Sequence, residues 1–212
     1  ALERLRQENL LGYSEKHGYK VQSSAGQEWD RERRDIGVTP EQQSERIQHK
    51  LRFLLGTPKR PELQSVPFPW IAWYTDNRQA SDKPLLRQRS GANAPVDFHF
   101  LPASEAQSAR WVQRSDEETL KDRLIWVVGE AAQALADARE LDKSQRMVDR
   151  YKPRRESLTR EKQRLLLEEE ARADDLEQKL EQVVAKAWMQ GRFYFRGREM
   201  NPGDLGGSFA SA

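Results

Sequence analysis

The sequence predicts a mixed α+β fold that is predominantly helical, with a winged-helix remnant, a small α/β base and a long antiparallel coiled-coil helical hairpin. Three observations support this prediction. Two long C-terminal segments repeat apolar residues at alternating steps of three and four, the spacing of a helix that packs along one partner helix. Aromatic segments before them have the character of strands. Near the start, a helical pattern leads into two short β-prone runs.

Residues 1–38 are predicted to be the winged-helix-like remnant. Residues 1–9 continue an amphipathic helix, and Leu10–Tyr13 with Tyr19–Val21 are predicted to form a small hairpin with glycine at the bend. A helix followed by a two-stranded wing is the C-terminal half of a winged helix. A short charged helix is predicted at Glu28–Ile36. Because the pattern starts inside a helix, we expect the 212 residues to be part of a larger protein or a shortened accessory subunit.

Residues 39–65 are predicted to be a connecting helix and loop. Thr39 is a typical N-cap, Pro40 suits the first helical position, and Gln42 can close a capping box. Gly56 is expected to end this helix.

Residues 66–112 are predicted to form the small α/β base. Trp70–Tyr74 is aromatic and β-prone, and Val96–Leu101 alternates apolar with polar residues, so both are predicted as strands. The loop over 76–94 between them has a local excess of basic residues. A helix capped by Ser104 is expected to follow.

Residues 113–190 are predicted to be an antiparallel helical arm, with Ser115 opening its first helix through a capping box. The first apolar stripe is interrupted once by polar Ser144 and comprises Leu120, Leu124, Val127, Ala131, Ala134, Ala138, Leu141, Val148 and Tyr151. The second comprises Leu166, Ala173, Leu176, Leu180, Val183 and Ala187. Pro153 cannot continue a helix, so the two segments are expected to fold back on each other. Each would reach about 50 Å at roughly 1.5 Å per residue.

The charged residues of Glu161–Glu181 alternate in sign, which is typical of a solvated coiled-coil face. On that interpretation Glu169 is exposed, and its replacement by Ala should change stability by less than about 0.5 kcal/mol. Residues 191–212 are predicted to be a closing strand at Phe193–Phe195 followed by a tail.

Composition limits the function classes. Lysine and arginine total 36 against 34 acidic residues, so the net charge of +2 gives no strong attraction for polyanions. The chain has no cysteine, which excludes disulfides and thiolate chemistry. It has no apolar run long enough to span a bilayer, and a cytoplasmic location without membrane association is expected.

Catalytic motifs are not evident, and no catalytic, cofactor-binding or metal-binding residue is predicted. The chain lacks a glycine-rich loop that could hold phosphate. Leu124–Glu130 resembles the apolar strand and acidic residue of an ATPase, but its apolar residues also fit the helical stripe, which is the favoured interpretation. His17, His49 and His99 are too far apart in sequence to suggest a metal site.

Two basic clusters are the candidate nucleic-acid-binding residues. One, Arg31, Arg33 and Arg34, follows the predicted wing, and the other, Lys152, Arg154 and Arg155, lies at the predicted tip of the arm. Such residues can contact DNA phosphates weakly and without regard to sequence. The alternative, ordinary solvated surface charge, is favoured by the small net charge.

The succession of segments resembles one family, the large P-loop ATPases of BREX and related phage-growth-limitation defence systems, the BrxC/PglY type. The resemblance lies in the order of the segments. Five short segments come first: Leu11–Tyr13, Tyr19–Val21, Glu28–Ile36, Trp70–Tyr74 and Phe98–Pro102. The long helical pair follows, and Gln190–Gly197 closes the series. The loop between the two aromatic strands departs from the family by being longer and more basic.

The resemblance implies an internal, non-catalytic region whose parent binds ATP through residues N-terminal to it. No phosphate-binding motif of the family maps onto this chain, so no catalytic residue is carried over and no cofactor is expected here. The expected partners are proteins of a defence complex or a second copy of the chain, with weak contact to double-stranded DNA. The alternatives are a stand-alone coiled-coil scaffold or adaptor without an ATPase parent and, less favoured, a small enzyme.

Overall fold

The computed structural model describes residues 11–14, 18–21, 23–56, 62–63, 66–67, 69–76, 83–87, 94–129 and 131–200. The helix predicted over 1–9, most of the basic loop 76–94 and the tail after residue 200 lie outside the described residues. Over the described part the fold is mixed α+β and predominantly helical, as predicted.

The bounds of the elements follow the chain in order. The helices are α1 (Ser24–Asp35), α2 (Pro40–Gly56), α3 (Ser108–Ser115), α4 (Ala131–Tyr151) and α5 (Arg160–Met189), with 3-10 turns at Ala103–Glu105 and Lys152–Ser157. The strands are β1 (Leu11–Ser14), β2 (Gly18–Val21), β3 (Glu62–Leu63), β4 (Val66–Pro67), β5 (Trp70–Asp76), β6 (Leu86–Arg87), β7 (Ala94–Phe100), β8 (Leu124–Val128), β9 (Arg192–Phe195) and β10 (Arg198–Met200).

The chain divides into two compact units. The first, here called the helical unit, consists of the described residues of 1–42 together with 139–178. The second, called the sheet unit, consists of those of 43–138 together with 179–200. Each unit is therefore built from segments that are far apart in sequence.

The helical unit has a core shared by three helices. Trp29 of α1 stacks on Tyr151 of α4 with ring centroids 4.5 Å apart, and Met147, Val148 and Leu166 complete the buried cluster. The predicted two-stranded hairpin is present, since β1 and β2 pair antiparallel. Through this cluster α1 packs against the end of α4 and the beginning of α5.

Local signals in the helical unit act as predicted. The Thr39 backbone N–H donates to Gln42 Oε1 at 2.9 Å, and the Gln42 N–H donates to Thr39 Oγ1 at 3.4 Å, which is the reciprocal pair of a capping box. α4 ends at Tyr151, directly before the 3-10 turn that contains Pro153.

The sheet unit is organised around a six-stranded sheet with strand order β10-β9-β8-β7-β5-β6. Strands β5, β7 and β8 run parallel, and the remaining neighbours pair antiparallel. The predicted aromatic strands are confirmed as β5, β7 and β9. The short strand β10, which pairs with β9 through a tight turn at Arg196 and Gly197, was not predicted.

The start of the predicted arm is wrong. Leu124–Val128 is not the first part of a helix but strand β8, and α4 begins only at Ala131. A central strand covered on both faces is apolar at nearly every position, so it contains residues three and four apart by necessity. The segment is rich in β-branched and aromatic residues, and it pairs with the parallel strand β7. Both features favour a strand over a helix.

Ser115 also differs from prediction. It ends α3 instead of opening the long helix, and its hydroxyl donates to the carbonyl of Val112 at 2.9 Å. The same oxygen accepts from the Gly197 N–H at 3.0 Å, which connects α3 to the β9–β10 turn.

Candidate functional site

A group of polar side chains, most of them buried, joins the three helices of the helical unit, and it is here called the Arg33 network. Arg33 Nε donates to Glu169 Oε1 at 2.9 Å, and Arg33 Nη1 donates to Glu140 Oε2 at 2.8 Å. Arg33 Nη2 donates to Ser144 Oγ at 3.1 Å and to the Glu140 carbonyl at 3.2 Å. Trp29 Nε1 donates to the second oxygen of Glu169 at 3.1 Å. One residue of α1 thus connects α4 with α5.

The centre of the Arg33 network is buried, whereas the side chain of its member Glu140 is 43% exposed. The side chain of Glu169 is 2% exposed and that of Arg33 is 12% exposed. Burial acts to raise the pKa of Glu169, but the charge of Arg172 and hydrogen bonds from Ser144 and Trp29 outweigh it and hold the pKa below its usual value. Burial likewise opposes the charge of Arg33, yet its carboxylate partners raise the pKa of the guanidinium. Both groups are therefore charged at neutral pH.

Arg33, one of the candidate nucleic-acid-binding residues, makes its contacts within the helical unit. Its guanidinium is engaged inside the fold, whereas the neighbouring Arg31 and Arg34 are exposed on α1. The expectation that Glu169 is exposed is wrong for the same reason. A signal was available in the sequence, because Glu169 lies three residues after Leu166 and four before Ala173 and so falls on the apolar stripe of α5. A polar residue on such a stripe indicates a buried partner.

The second predicted basic cluster lies at the α4–α5 junction and is mostly paired. Lys152 Nζ and Arg155 Nη2 both contact the carboxylate of Glu170, at 3.5 and 2.8 Å. The guanidinium of Arg154 lies 4.6 Å from the ring centroid of Tyr151. The structure therefore brings Lys152 and Arg155 together on one acidic residue.

Basic residues that the sequence reasoning did not single out show the same pairing. Glu32 of α1 accepts from Arg150 and from the hydroxyl of Tyr151, and Lys162 Nζ lies 2.9 Å from Glu28 Oε2. The pKa of Glu32 is lowered because these partners outweigh its burial. The surface around the α4–α5 junction thus carries interspersed acidic and basic side chains and not a continuous basic patch.

The sheet unit contains a second polar group, on the face of β7 covered by α3. His99 is 8% exposed, and its ring centroid lies 4.5 Å from that of Trp111, over which the guanidinium of Arg114 sits at 4.9 Å. Two positions earlier on β7, Asp97 Oδ1 accepts from Arg123 Nη1 at 2.8 Å. The group therefore combines an ion pair between Asp97 and Arg123 with a stack of His99, Trp111 and Arg114.

The electrostatics of this group favour the neutral imidazole. Burial, assisted by the charge of Arg114, lowers the pKa of His99 to about 4. Burial raises the pKa of Asp97, although Arg123 opposes that shift. Within the described residues His99 Nε2 has no hydrogen-bond partner. A neutral, stacked histidine of this kind serves packing.

Within the described residues, no three histidine or acidic side chains are grouped as the ligands of a metal ion would be. Every helix of the described part is too short or too polar to cross a bilayer. Comparison with protein-family models, with curated proteins and with solved structures found no match.

Proposed function

We propose that this chain is a non-catalytic interaction region of a phage-defence P-loop ATPase of the BrxC/PglY type, and that its main task is to dock onto other proteins. The support is twofold. The order of its segments resembles that family, and the charged residues of the helical unit are arranged for internal pairing.

The observation that carries the proposal is the pairing of the candidate DNA-binding residues. Arg33 is held by two carboxylates, and Lys152 and Arg155 share Glu170. A phosphate that bound Arg33 or Arg155 would compete with carboxylates that already contact these guanidinium groups at 2.8 to 2.9 Å. Docking of a protein needs no such exchange, because a mosaic of both signs suits a polar protein interface better than a polyanion.

DNA contact has a smaller part in this proposal. Arg31 and Arg154 are exposed and are the basic candidates best placed for phosphates. Contacts through so few charges give weak, sequence-independent and strongly salt-dependent binding.

The proposal includes a hairpin role for the two long helices. In the helical unit Met147 and Val148 share a core with Leu166, and in the sheet unit Lys179 Nζ lies 2.9 Å from Asp137 Oδ1. Residue 166 of α5 therefore lies near residues 147 and 148 of α4, whereas residue 179 of α5 lies near residue 137 of α4. Residue numbers rise along one helix as they fall along the other, which supports an antiparallel pair. In the same picture the β1–β2 hairpin is the wing of a winged-helix remnant.

The experiment that tests the proposal has two parts. The coding sequence upstream of residue 1 is read for a phosphate-binding loop, and the protein portion that contains it is produced separately and mixed with the tagged chain. Stoichiometric co-purification is expected, while an unrelated helical protein with the same tag should retain nothing. Failure of the two portions to associate would contradict docking. Absence of any phosphate-binding loop in the parent would favour the stand-alone scaffold.

A further inference from the structure

The outward side of α5 in the helical unit carries a regular stripe of exposed residues, here called the outer stripe. Its members follow one another at steps of four and three and are Arg160, Arg164, Leu167, Ala171, Asp174 and Gln178. This spacing places all six on one side of the helix, opposite the buried Leu166 and Ala173. Leu167 is 55% exposed and is the one large apolar side chain among these six residues.

The outer stripe is complementary to itself when reversed. Its six positions are symmetric about residue 169, so that Arg164 matches Asp174 and Leu167 matches Ala171. Two copies laid antiparallel would form two Arg164–Asp174 ion pairs. Between these pairs, each Leu167 would pack on the small Ala171 of the other copy. A parallel arrangement would instead place each Arg164 beside its equivalent and each Asp174 beside its equivalent, which is repulsive.

We propose that the outer stripe docks onto the outer stripe of a second copy of this chain, antiparallel and about a two-fold axis near residue 169. A two-fold axis makes every contact occur twice, which is the usual way in which one self-complementary surface forms a dimer. Arg164 contacts Glu168 of its own helix at 3.5 Å, with both side chains more than half exposed. That weak pair leaves Arg164 able to reach a second acidic partner.

The size of the outer stripe sets the strength of the contact. From residue 160 to residue 178 it spans about 27 Å at roughly 1.5 Å per residue. With a small apolar centre flanked by exposed ion pairs, the dimer is weak and dissociates as salt is raised. The inference rests on the proposed role as an interaction region and names one partner for it.

Charge exchange tests the register by sedimentation velocity over a concentration series at low salt. Arg164→Asp alone and Asp174→Arg alone each bring like charges together and should raise the dimer dissociation constant at least about tenfold. The double variant exchanges both charges, restores the pairs and should return to within about threefold of the unaltered chain. Helicity by circular dichroism verifies that every variant is folded. A double variant as weak as the single ones overturns the proposal, as does an unaltered chain that stays monomeric up to about 1 mM.

Disulfide trapping tests the orientation, because the chain has no cysteine of its own. A Leu167→Cys chain mixed with an Ala171→Cys chain should cross-link mainly as the mixed dimer. Preferential cross-linking of each variant to itself would indicate parallel helices and would overturn the proposal. Failure here is distinct from failure of the proposed function, which is decided by association with the ATPase portion.

Discussion

The guanidinium of Arg33 donates to the carboxylate of Glu169 at 2.9 Å, across 136 positions of the sequence. The two long helices each carry a polar residue on an otherwise apolar stripe, Ser144 in α4 and Glu169 in α5. Arg33 contacts both. Because a buried polar group is tolerated only with a partner, these two interruptions fix where α1 packs against the helix pair.

Glu169→Ala should therefore be strongly destabilising. The substitution removes the acceptor of the Trp29 indole N–H and leaves Arg33 with Glu140 as its remaining carboxylate. Loss of one partner of a buried ion pair costs on the order of 3 kcal/mol. The free energy of unfolding, from urea titration followed by tryptophan fluorescence, measures this loss. Glu168→Ala is the matched control, since its side chain is 56% exposed, and it should change stability by less than about 0.5 kcal/mol. Equal effects of the two substitutions would contradict the Arg33 network.

The stability of the sheet unit should depend on pH through His99. In the unfolded chain the imidazole takes up a proton near its ordinary pKa of 6.5, whereas in the fold burial and Arg114 hold its pKa at about 4. The contribution of His99 to stability is therefore complete above pH 6.5 and falls as the pH decreases toward 4. The loss amounts to about 3 kcal/mol at 1.36 kcal/mol per unit.

The measurement is the difference in unfolding free energy between the unaltered chain and His99→Gln from pH 7.5 to 4. Asp97 acts in the opposite sense, because its raised pKa favours the fold at low pH, and the difference removes its effect. His49→Gln, at an exposed position of α2, is the control. A difference that is independent of pH would show that His99 is not buried as described.

Gly191→Ala should destabilise the sheet unit. A Cβ at this position would lie 2.2 Å from Trp126 Nε1, and the Trp126 ring is held by Phe193, whose centroid is 4.2 Å away, and by Trp188. Moving a packed indole costs about 1–3 kcal/mol. Gly56→Ala is the control, since nothing lies within 4 Å of a Cβ there. Thermal melts of the two variants that coincide with the unaltered chain would show that Trp126 has room to move.

Local signals made much of the fold predictable. The capping box at Thr39, the break before Pro153 and the aromatic strand from Trp70 each depend on residues close in sequence, and each is confirmed. The strand at Leu124–Val128 was missed because its choice between helix and strand depends on β7 and β9, which are its neighbours only in the folded chain.

The candidate site was less predictable for a related reason. Charge alone does not say whether an arginine faces solvent or a carboxylate that lies more than a hundred residues away. The position of Glu169 on an otherwise apolar stripe indicated that its carboxylate is buried, because a polar residue at such a position requires a buried partner. Which of the basic residues supplies it, Arg33 and not Arg31 or Arg34, follows from the packing of Trp29 on Tyr151.

The chain by itself should not bind ATP. Its sequence contains no glycine-rich motif of the kind whose successive backbone N–H groups hold phosphate. Calorimetric titration with ATP and magnesium should give only the heat of dilution. Saturable binding at micromolar affinity would contradict the proposal and direct attention to β8 and to Gly129, which follows its C-terminal end.

The most direct test of the proposed docking role is duplex binding, measured by fluorescence anisotropy with a labelled random DNA at two salt concentrations. If the basic residues mainly serve internal pairs, the dissociation constant at physiological salt is no tighter than about 10 μM. Arg31→Ala should then weaken the remaining low-salt binding, whereas Arg155→Ala should change it little because the Arg155 guanidinium already contacts Glu170 at 2.8 Å. Submicromolar binding that persists at about 200 mM salt and is lost on replacing Lys152 and Arg155 would contradict the account.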